Sequence, residues 1–250
     1  MSSAVTTSVV AALAVACASL LIAAYRDYRA YIAFGPHGLP DNFRGWCTQL
    51  LLSRVSRKDT TVPAPYDMEV VKKSCGPNAS TSYLARPLAA RRGPRPEIPG
   101  FTAPQRQVTA TASSDMKLQM DAYLRSLTRA NDETIQFELS VLEGPVPAVQ
   151  LKKGLERPHY LDKTKGEMIH VHPPDGSTHL LLSLADSKAV IETGWGQRHR
   201  LSGSLLGWGY TLIYAPRSQA DFETWKDMVC ASVGYCCAEI SAIQSPLSGG

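Results

Sequence analysis

From Ala4 to Ala24 the chain runs AVTTSVVAALAVACASLLIAA without a charge. At about 1.5 Å per helical residue this stretch is roughly 30 Å long, enough to cross the hydrocarbon core of a bilayer. No basic residue precedes the run, and it is long for the apolar part of a cleaved signal peptide, so it reads as a retained anchor. Arg26 and Arg29 follow at once, and the positive-inside bias then places the C-terminal bulk in the cytosol. On that topology the sequon Asn78-Ala79-Ser80 stays unglycosylated. The aromatic and basic YRDYRAYIAF continues the helix at headgroup level.

Beyond the anchor, DNFRGWCTQLLLSRVS offers Asp41 as an N-cap and Phe43, Trp46, Leu50 and Leu51 at helical spacing. This helix either lies on the membrane or packs on the domain. Residues 57–104 are rich in Pro, Ser and Thr and hold no period, which predicts a connector with little regular structure. From Gln105 the periods return. QRQVTATA is β-prone. Ser113, Ser114 and Asp115 cap a helix whose apolar face is Leu118, Tyr123, Leu124 and Leu127, and TIQFELSVL alternates as a half-buried strand with VPAVQL as its partner.

EMIHVH and STHLLLSL flank Pro-Pro-Asp-Gly, a turn signal because Pro fixes φ and Gly permits positive φ. Ala185–Thr193 reads as a short helix closed by Gly194, and GYTLIYAP as a buried strand. Ser218 then caps a long helix with Phe222, Trp225, Val229, Val233, Cys236 and Ile240 in one stripe. The order predicts an α+β domain, an antiparallel sheet with packed helices, preceded by an N-terminal transmembrane helix. The expected organisation is 1–34 anchor and juxtamembrane helix, 35–104 amphipathic segment and connector, 105–243 α+β domain and 244–250 tail.

Composition refines this picture. The formal charge is +4, and Arg86, Arg91, Arg92 and Arg95 cluster in the Pro-rich RPLAARRGPRPEIPG. No aromatic platform accompanies them, which excludes a nucleic-acid face and leaves a basic loop or a contact with anionic lipid. Six cysteines without a CxxC argue for a reduced compartment. No GxSxG, Walker, GxGxxG or HExxH pattern occurs, so hydrolase, nucleotide and zincin readings lack support.

The candidate chemistry lies in IHVHPPDGSTH, with three of the six histidines. On a strand His170 and His172 share a face. A four-residue loop, Pro173–Gly176, sets His170 opposite His179 and gathers all three rings, whereas one more residue throws His179 to the other side. An HxH pair with a later His suits a Zn or Fe site, although the nearest acid, Asp175, sits in the turn. The expectation is a pocket without metal, with His170, His172 and His179 as the ligands if a metal is present. Purely structural histidines are the third reading.

A second stretch, TGWGQRHRLSG, offers Arg198 and His199 to hold an enolate and exchange its proton, and Trp195 as a stacking wall or a core plug. Tyr214 and Arg217 stand at a strand rim, where Arg217 either serves the site or pairs with Asp221.

These stretches resemble the fungal luciferase family. The likeness runs through RDYRAYIAFGP, PDNFRGW, the HVH hairpin, HLLLSLADSKAVIETGWGQRHRLSG, YTLIYAPRSQAD and the VGY of the last helix. It implies a membrane-associated oxygenase that adds O₂ to 3-hydroxyhispidin, an electron-rich α-pyrone, expels CO₂ and leaves caffeylpyruvate, with O₂ as co-substrate and no organic cofactor. Such chemistry needs a base, an anion holder and a dry wall. His170, His172, His179 and His199 are the candidate bases, Arg198 and Arg217 the anion holders, and Trp195 and Tyr214 the walls. Relative to the luminous pattern the PPDGST turn is short and Arg200 replaces a proline, so the expected activity is stated with or without light. The expected partners are a pyrone or phenolic small molecule and membrane lipid, in the endoplasmic reticulum or another endomembrane. The alternative function is a non-catalytic, membrane-tethered polyphenol-binding protein.

Overall fold

The computed structural model describes residues 2–35, 38–64 and 68–246. The last four residues of the expected tail lie outside them. Helix α1, Ser2–Ala33, continues from the apolar run through the aromatic-basic stretch without a break. Its part Val5–Ala33 is long and apolar enough to cross a membrane. Among the described residues, it is the C-terminal end of α1 that meets the rest of the protein. There Trp46 donates its indole N–H to Asp27 at 2.7 Å, and Tyr31, Trp46 and Phe101 form a small aromatic cluster. Trp46 belongs to α2, Phe43–Leu52, whose N-cap is Asn42 rather than Asp41, with the Asn42 side chain accepting from Gly45 N. Of the expected apolar face of α2, Trp46 is buried, while Phe43 and Leu51 remain more than 60% exposed.

The domain is one six-stranded antiparallel sheet in the order β1-β2-β3-β4-β6-β5. The strands are β1 Ile135–Leu139, β2 Pro147–Leu151, β3 Glu167–Val171, β4 Thr178–Leu181, β5 Gly196–Arg198 and β6 Tyr210–Ile213. Strand β5 falls inside the glycine-bracketed stretch that sequence reading treats as a reactive loop. Its pairing with the edge of β6 is a long-range contact that no local period announces.

Helices α4 (Ser114–Ala130), α5 (Leu184–Glu192) and α6 (Gln219–Cys236) contribute to one core with the sheet. Ser113, Ser183 and Ser218 cap them with their side-chain oxygens. The core includes Met116, Met120, Leu124, Leu127, Ile169, Leu180, Trp225 and Val229. Each such apolar side chain taken out of water contributes about 1.5–3 kcal/mol before chain entropy is set against it. Leu118, expected on the buried face of α4, is 70% exposed, and methionines 116 and 120 take that role. Helix α6 stops at Cys236, short of Ile240.

The connector is more ordered than expected. It contains α3, Met68–Cys75, and its extended parts bind the domain closely. Arg57 N donates to Arg200 O at 2.8 Å, Ser82 Oγ and Tyr83 N both reach Asp186, and Arg91 N donates to Thr193 O at 2.9 Å. The arginine cluster read as a free basic loop is largely consumed here. Arg95 donates to Gly196 O and Ile191 O, Arg91 is buried over the Tyr214 ring, and Arg86 pairs with Asp227. All six cysteines are free thiols.

QRQVTATA forms no strand. Its backbone is irregular, and its side chains make the bonds instead. Gln105 bridges Arg198 O and Arg200 N, and Gln107 accepts from Ala215 N. The sheet face carrying His170, His179 and Leu212 is therefore covered by this segment and by the chain just past α1. On the opposite face Thr178 accepts from Trp225 of α6, and the backbone oxygen of Leu181 accepts from Ser232.

Candidate active site

The hairpin loop is the four-residue one. His170 pairs directly with His179 and Val171 with Thr178, while His172 N donates to Ser177 O and Gly176 N to His172 O, both at 2.8 Å. Gly176 holds φ +80° and lies against Ala112, where a Cβ would come within 2.6 Å of the alanine side chain. This tight closure puts His170, His172 and His179 on one face, fully buried, with ring centroids 4.6–5.2 Å apart.

Two carboxylates that sequence reading did not single out complete the cluster. Glu143 sits in the loop between β1 and β2. Its Oε2 lies 3.2 Å from His170 Nε2, 3.3 Å from His172 Nε2 and 3.8 Å from His179 Nδ1. Arg106 clamps the other oxygen through Nε and Nη2. The loop is folded by Ser140, whose hydroxyl accepts from Leu142 N and Glu143 N and donates to Glu167.

Glu167 is on β3, three residues before His170, where strict alternation puts it on the opposite face. A bulge between Val149 and Gln150 shifts the register, pairing Gln150 with Glu167 and Val149 with Ile169. The extra residue turns Glu167 onto the histidine side, and its Oε1 accepts from His170 Nδ1 at 2.6 Å. Asp175, the acid nearest in sequence, is 3.9 Å from His172 Nδ1 and instead accepts from Ser177 N. His172 Nδ1 lies 2.7 Å from Ser177 Oγ.

Burial opposes every charge in this cluster, and the partners decide the outcome. For Glu143, His172 and His170 overcome desolvation and hold the carboxyl well below the usual range. His170 faces two carboxylates, which outweigh its burial and raise it to about 9. His179 is pushed far down by burial and by its imidazole neighbours, and its Nε2 has no hydrogen-bond partner among the described residues. His199 stacks edge-on against His179 at 4.7 Å and is lowered to about 3, mainly by burial. Leu201 N donates to His199 Nδ1 at 3.0 Å, so the neutral ring carries its proton on Nε2.

A cavity of about 170 Å³ adjoins the cluster. Glu143, His170, His179, His199 and Tyr210 give it a polar wall, while Leu39, Leu52, Leu142, Leu201 and Leu206 give an apolar one. Leu39 and Leu52 come from the segment that follows α1. Glu143, His170, His172 and His179 are also the set among the described residues that could hold a metal ion.

The remaining expected site residues lie elsewhere. Trp195 is a core plug with its indole N–H on Ala89 O at 2.8 Å. Tyr214 donates to Gln197 Oε1 and accepts from Arg95. Arg198 sits next to His199 but is turned onto Ser202 and the Trp208 ring. Arg217 makes an ion pair with Asp221 at 3.0 Å and bonds to Arg92 O. None of the four lines the histidine cavity.

The model of the Luciferase domain family matches residues 165–232, from the start of β3 into α6. The luciferase of Neonothopanus nambi is 31% identical over 224 residues, covering 84% of this chain and 80% of that one. The chain belongs to the fungal luciferase family. The luciferases of Armillaria mellea and Armillaria gallica, each 29% identical, cover 89% of the chain and 85% and 88% of their own lengths. No solved structure matches. In this family member the matched segment carries all four clustered histidines, whereas Glu143 and Arg106 lie before it.

Proposed function

We propose that this luciferase-family protein is a membrane-anchored oxygenase that adds O₂ to a 3-hydroxyhispidin-type α-pyrone and releases CO₂, with O₂ as co-substrate and no organic cofactor. The observation that carries the reading is the buried histidine cavity in a chain of this family. An apolar cavity of about 150 Å³ takes a benzene-sized ring, so the space beside His179 suits the pyrone ring. The aryl arm of such a substrate must then extend past Leu39 and Leu52 toward the membrane side.

The 3-hydroxyl of the pyrone loses its proton to the ionised Glu143, which borders the cavity. His179 Nε2 and the Nε2–H of His199 are then placed to hold the enolate oxygen, neutral donors in a site that excludes water. O₂ adds to the electron-rich ring, the strained peroxide breaks, and CO₂ and caffeylpyruvate leave, so all atoms of pyrone and O₂ are accounted for. Helix α1 crosses an endomembrane with the domain on the cytosolic side, where Arg26 and Arg29 favour it.

The test is O₂ uptake and CO₂ release when 3-hydroxyhispidin is added to membranes carrying the protein, with caffeylpyruvate identified by mass spectrometry. Turnover is expected in the wild type and is lost in His170→Ala. Wild-type membranes that consume the pyrone no faster than buffer sink the proposal, and saturable binding without product makes the protein a tethered binding module instead. Light is read in the same assay.

A further inference from the structure

The Glu143 cluster is poorly explained as hydrogen bonding alone. Three imidazole nitrogens approach one carboxylate oxygen at 3.2–3.8 Å, and His179 Nδ1 is 3.2 Å from His170 Nε2. Charge-assisted hydrogen bonds close to about 2.7–2.9 Å, and His170 does close to 2.6 Å on its other side, at Glu167. Donors about 2.1 Å from a shared metal lie about 3.0 Å apart at the edge of an octahedron and about 3.4 Å apart in a tetrahedron. Three of the four measured separations, 3.2, 3.2 and 3.3 Å, lie between these edges and the fourth is 3.8 Å, while the ligand atoms of the four residues all lie within 4.8 Å of one another.

The outer nitrogens carry a second, independent signal. His170 Nδ1 is held by the Glu167 carboxylate and His172 Nδ1 by the Ser177 hydroxyl at 2.7 Å. Fixing the far nitrogen of an imidazole in this way sets the ring and directs the near lone pair inward, the arrangement metal-ligating histidines use. The bulge in β3 and the four-residue loop exist at the two positions that bring Glu167 and Ser177 into these roles.

We propose that Glu143, His170, His172 and His179 bind one divalent first-row transition-metal ion, with Glu167 and Ser177 as positioning residues. Three imidazoles and one carboxylate suit Mn, Fe, Co, Ni or Zn and are too nitrogen-rich for Ca or Mg. With neutral imidazoles the buried charges are Glu143, Glu167 and Asp175 against Arg106, and a dication brings this set to neutrality. If the pyrone reading holds, its enolate adds one further anion on the cavity side. The metal site itself does not depend on that reading.

The experiment uses the full chain in detergent, purified without a histidine tag. Elemental analysis is expected to find about one transition-metal ion per chain. After stripping with a chelator, titration with Co²⁺ is expected to give visible d–d absorption saturating at one equivalent. Glu143→Gln and His172→Ala abolish that absorption. Glu167→Gln, which keeps shape, weakens Co²⁺ binding about 10- to 100-fold at unchanged circular dichroism. Wild-type protein that neither carries metal nor develops the Co²⁺ spectrum overturns the inference. So does a titration unchanged in Glu167→Gln and His172→Ala, whichever variant folds. Because the readout needs no turnover, metal binding without pyrone consumption removes only the oxygenase proposal, and pyrone consumption by protein that binds no metal removes only this one.

Discussion

The two stretches richest in candidate chemistry, IHVHPPDGSTH and TGWGQRHRLSG, end in different positions. The first is the turn of a hairpin in the middle of the sheet, and its polar side chains face inward together. The second forms edge strand β5 and the loop beyond it, and its side chains disperse. Trp195 goes to the core, Gln197 to Tyr214, Arg198 to Trp208, and of its polar side chains His199 alone lines the cavity, beside Leu201. Residues alternate across a strand, so Gln197 and Arg198 take opposite faces of the sheet, and His199 follows just past the end of β5. A motif dense in reactive residue types thus contributes one member, while a lone glutamate from the β1–β2 loop stands at the centre of the cluster.

Substitutions test this contrast, and the largest effect is expected at Glu143. Glu143→Ala removes the carboxylate that faces the buried Arg106 guanidinium and one side of His170, a loss of about 3–5 kcal/mol. A thermal melt of the detergent-solubilised protein is expected to drop steeply, with no pyrone turnover. A variant that melts like wild type breaks the assignment of Glu143 to the centre of the cluster.

Gly176→Val comes next. It forces a β-branched residue to positive φ and drives a Cβ into Ala112, which costs about 1–3 kcal/mol of backbone strain and moves the His172–Ser177 closure. Turnover is expected to fall by more than the stability loss explains. Equal activity per folded molecule argues that the loop does not set the histidine geometry.

On the other stretch the effects shrink. Tyr214→Phe removes one hydroxyl that bonds Gln197 and Arg95, for about 1 kcal/mol, with kcat unchanged. A fall in kcat with intact stability returns Tyr214 to the substrate wall. Arg217→Ala breaks a partly exposed pair with Asp221, worth about 0–1 kcal/mol, and leaves both Tm and KM where they are. A raised KM brings Arg217 back as an anion holder.

The helices and most strands were legible because their signals are local. Serine caps, the stripe on α6 and the alternation in β1 each follow from contacts a few residues apart. The arginine-rich connector and QRQVTATA were not, because their order comes from bonds to distant backbone, such as Arg95 to Gly196 O and Gln107 to Ala215 N. Leu118 failed as a core residue because the face of α4 that meets the sheet is rotated toward Met116 and Met120. Glu167 was hidden by its parity, since only a bulge in its own strand, β3, brings it to the side of His170.

The sequence by itself determined the apolar helix, the α+β class, the family and the three hairpin histidines, because period, caps and turn residues act over short range. It also reduced their geometry to one alternative, a loop of four residues or five. Tertiary structure alone chose the four-residue loop, brought Glu143 and Arg106 onto the histidines and sent Trp195, Arg198, Tyr214 and Arg217 to structural contacts. These outcomes depend on register, on a bulge and on which segment covers the polar face, and each is fixed by packing between residues tens of positions apart.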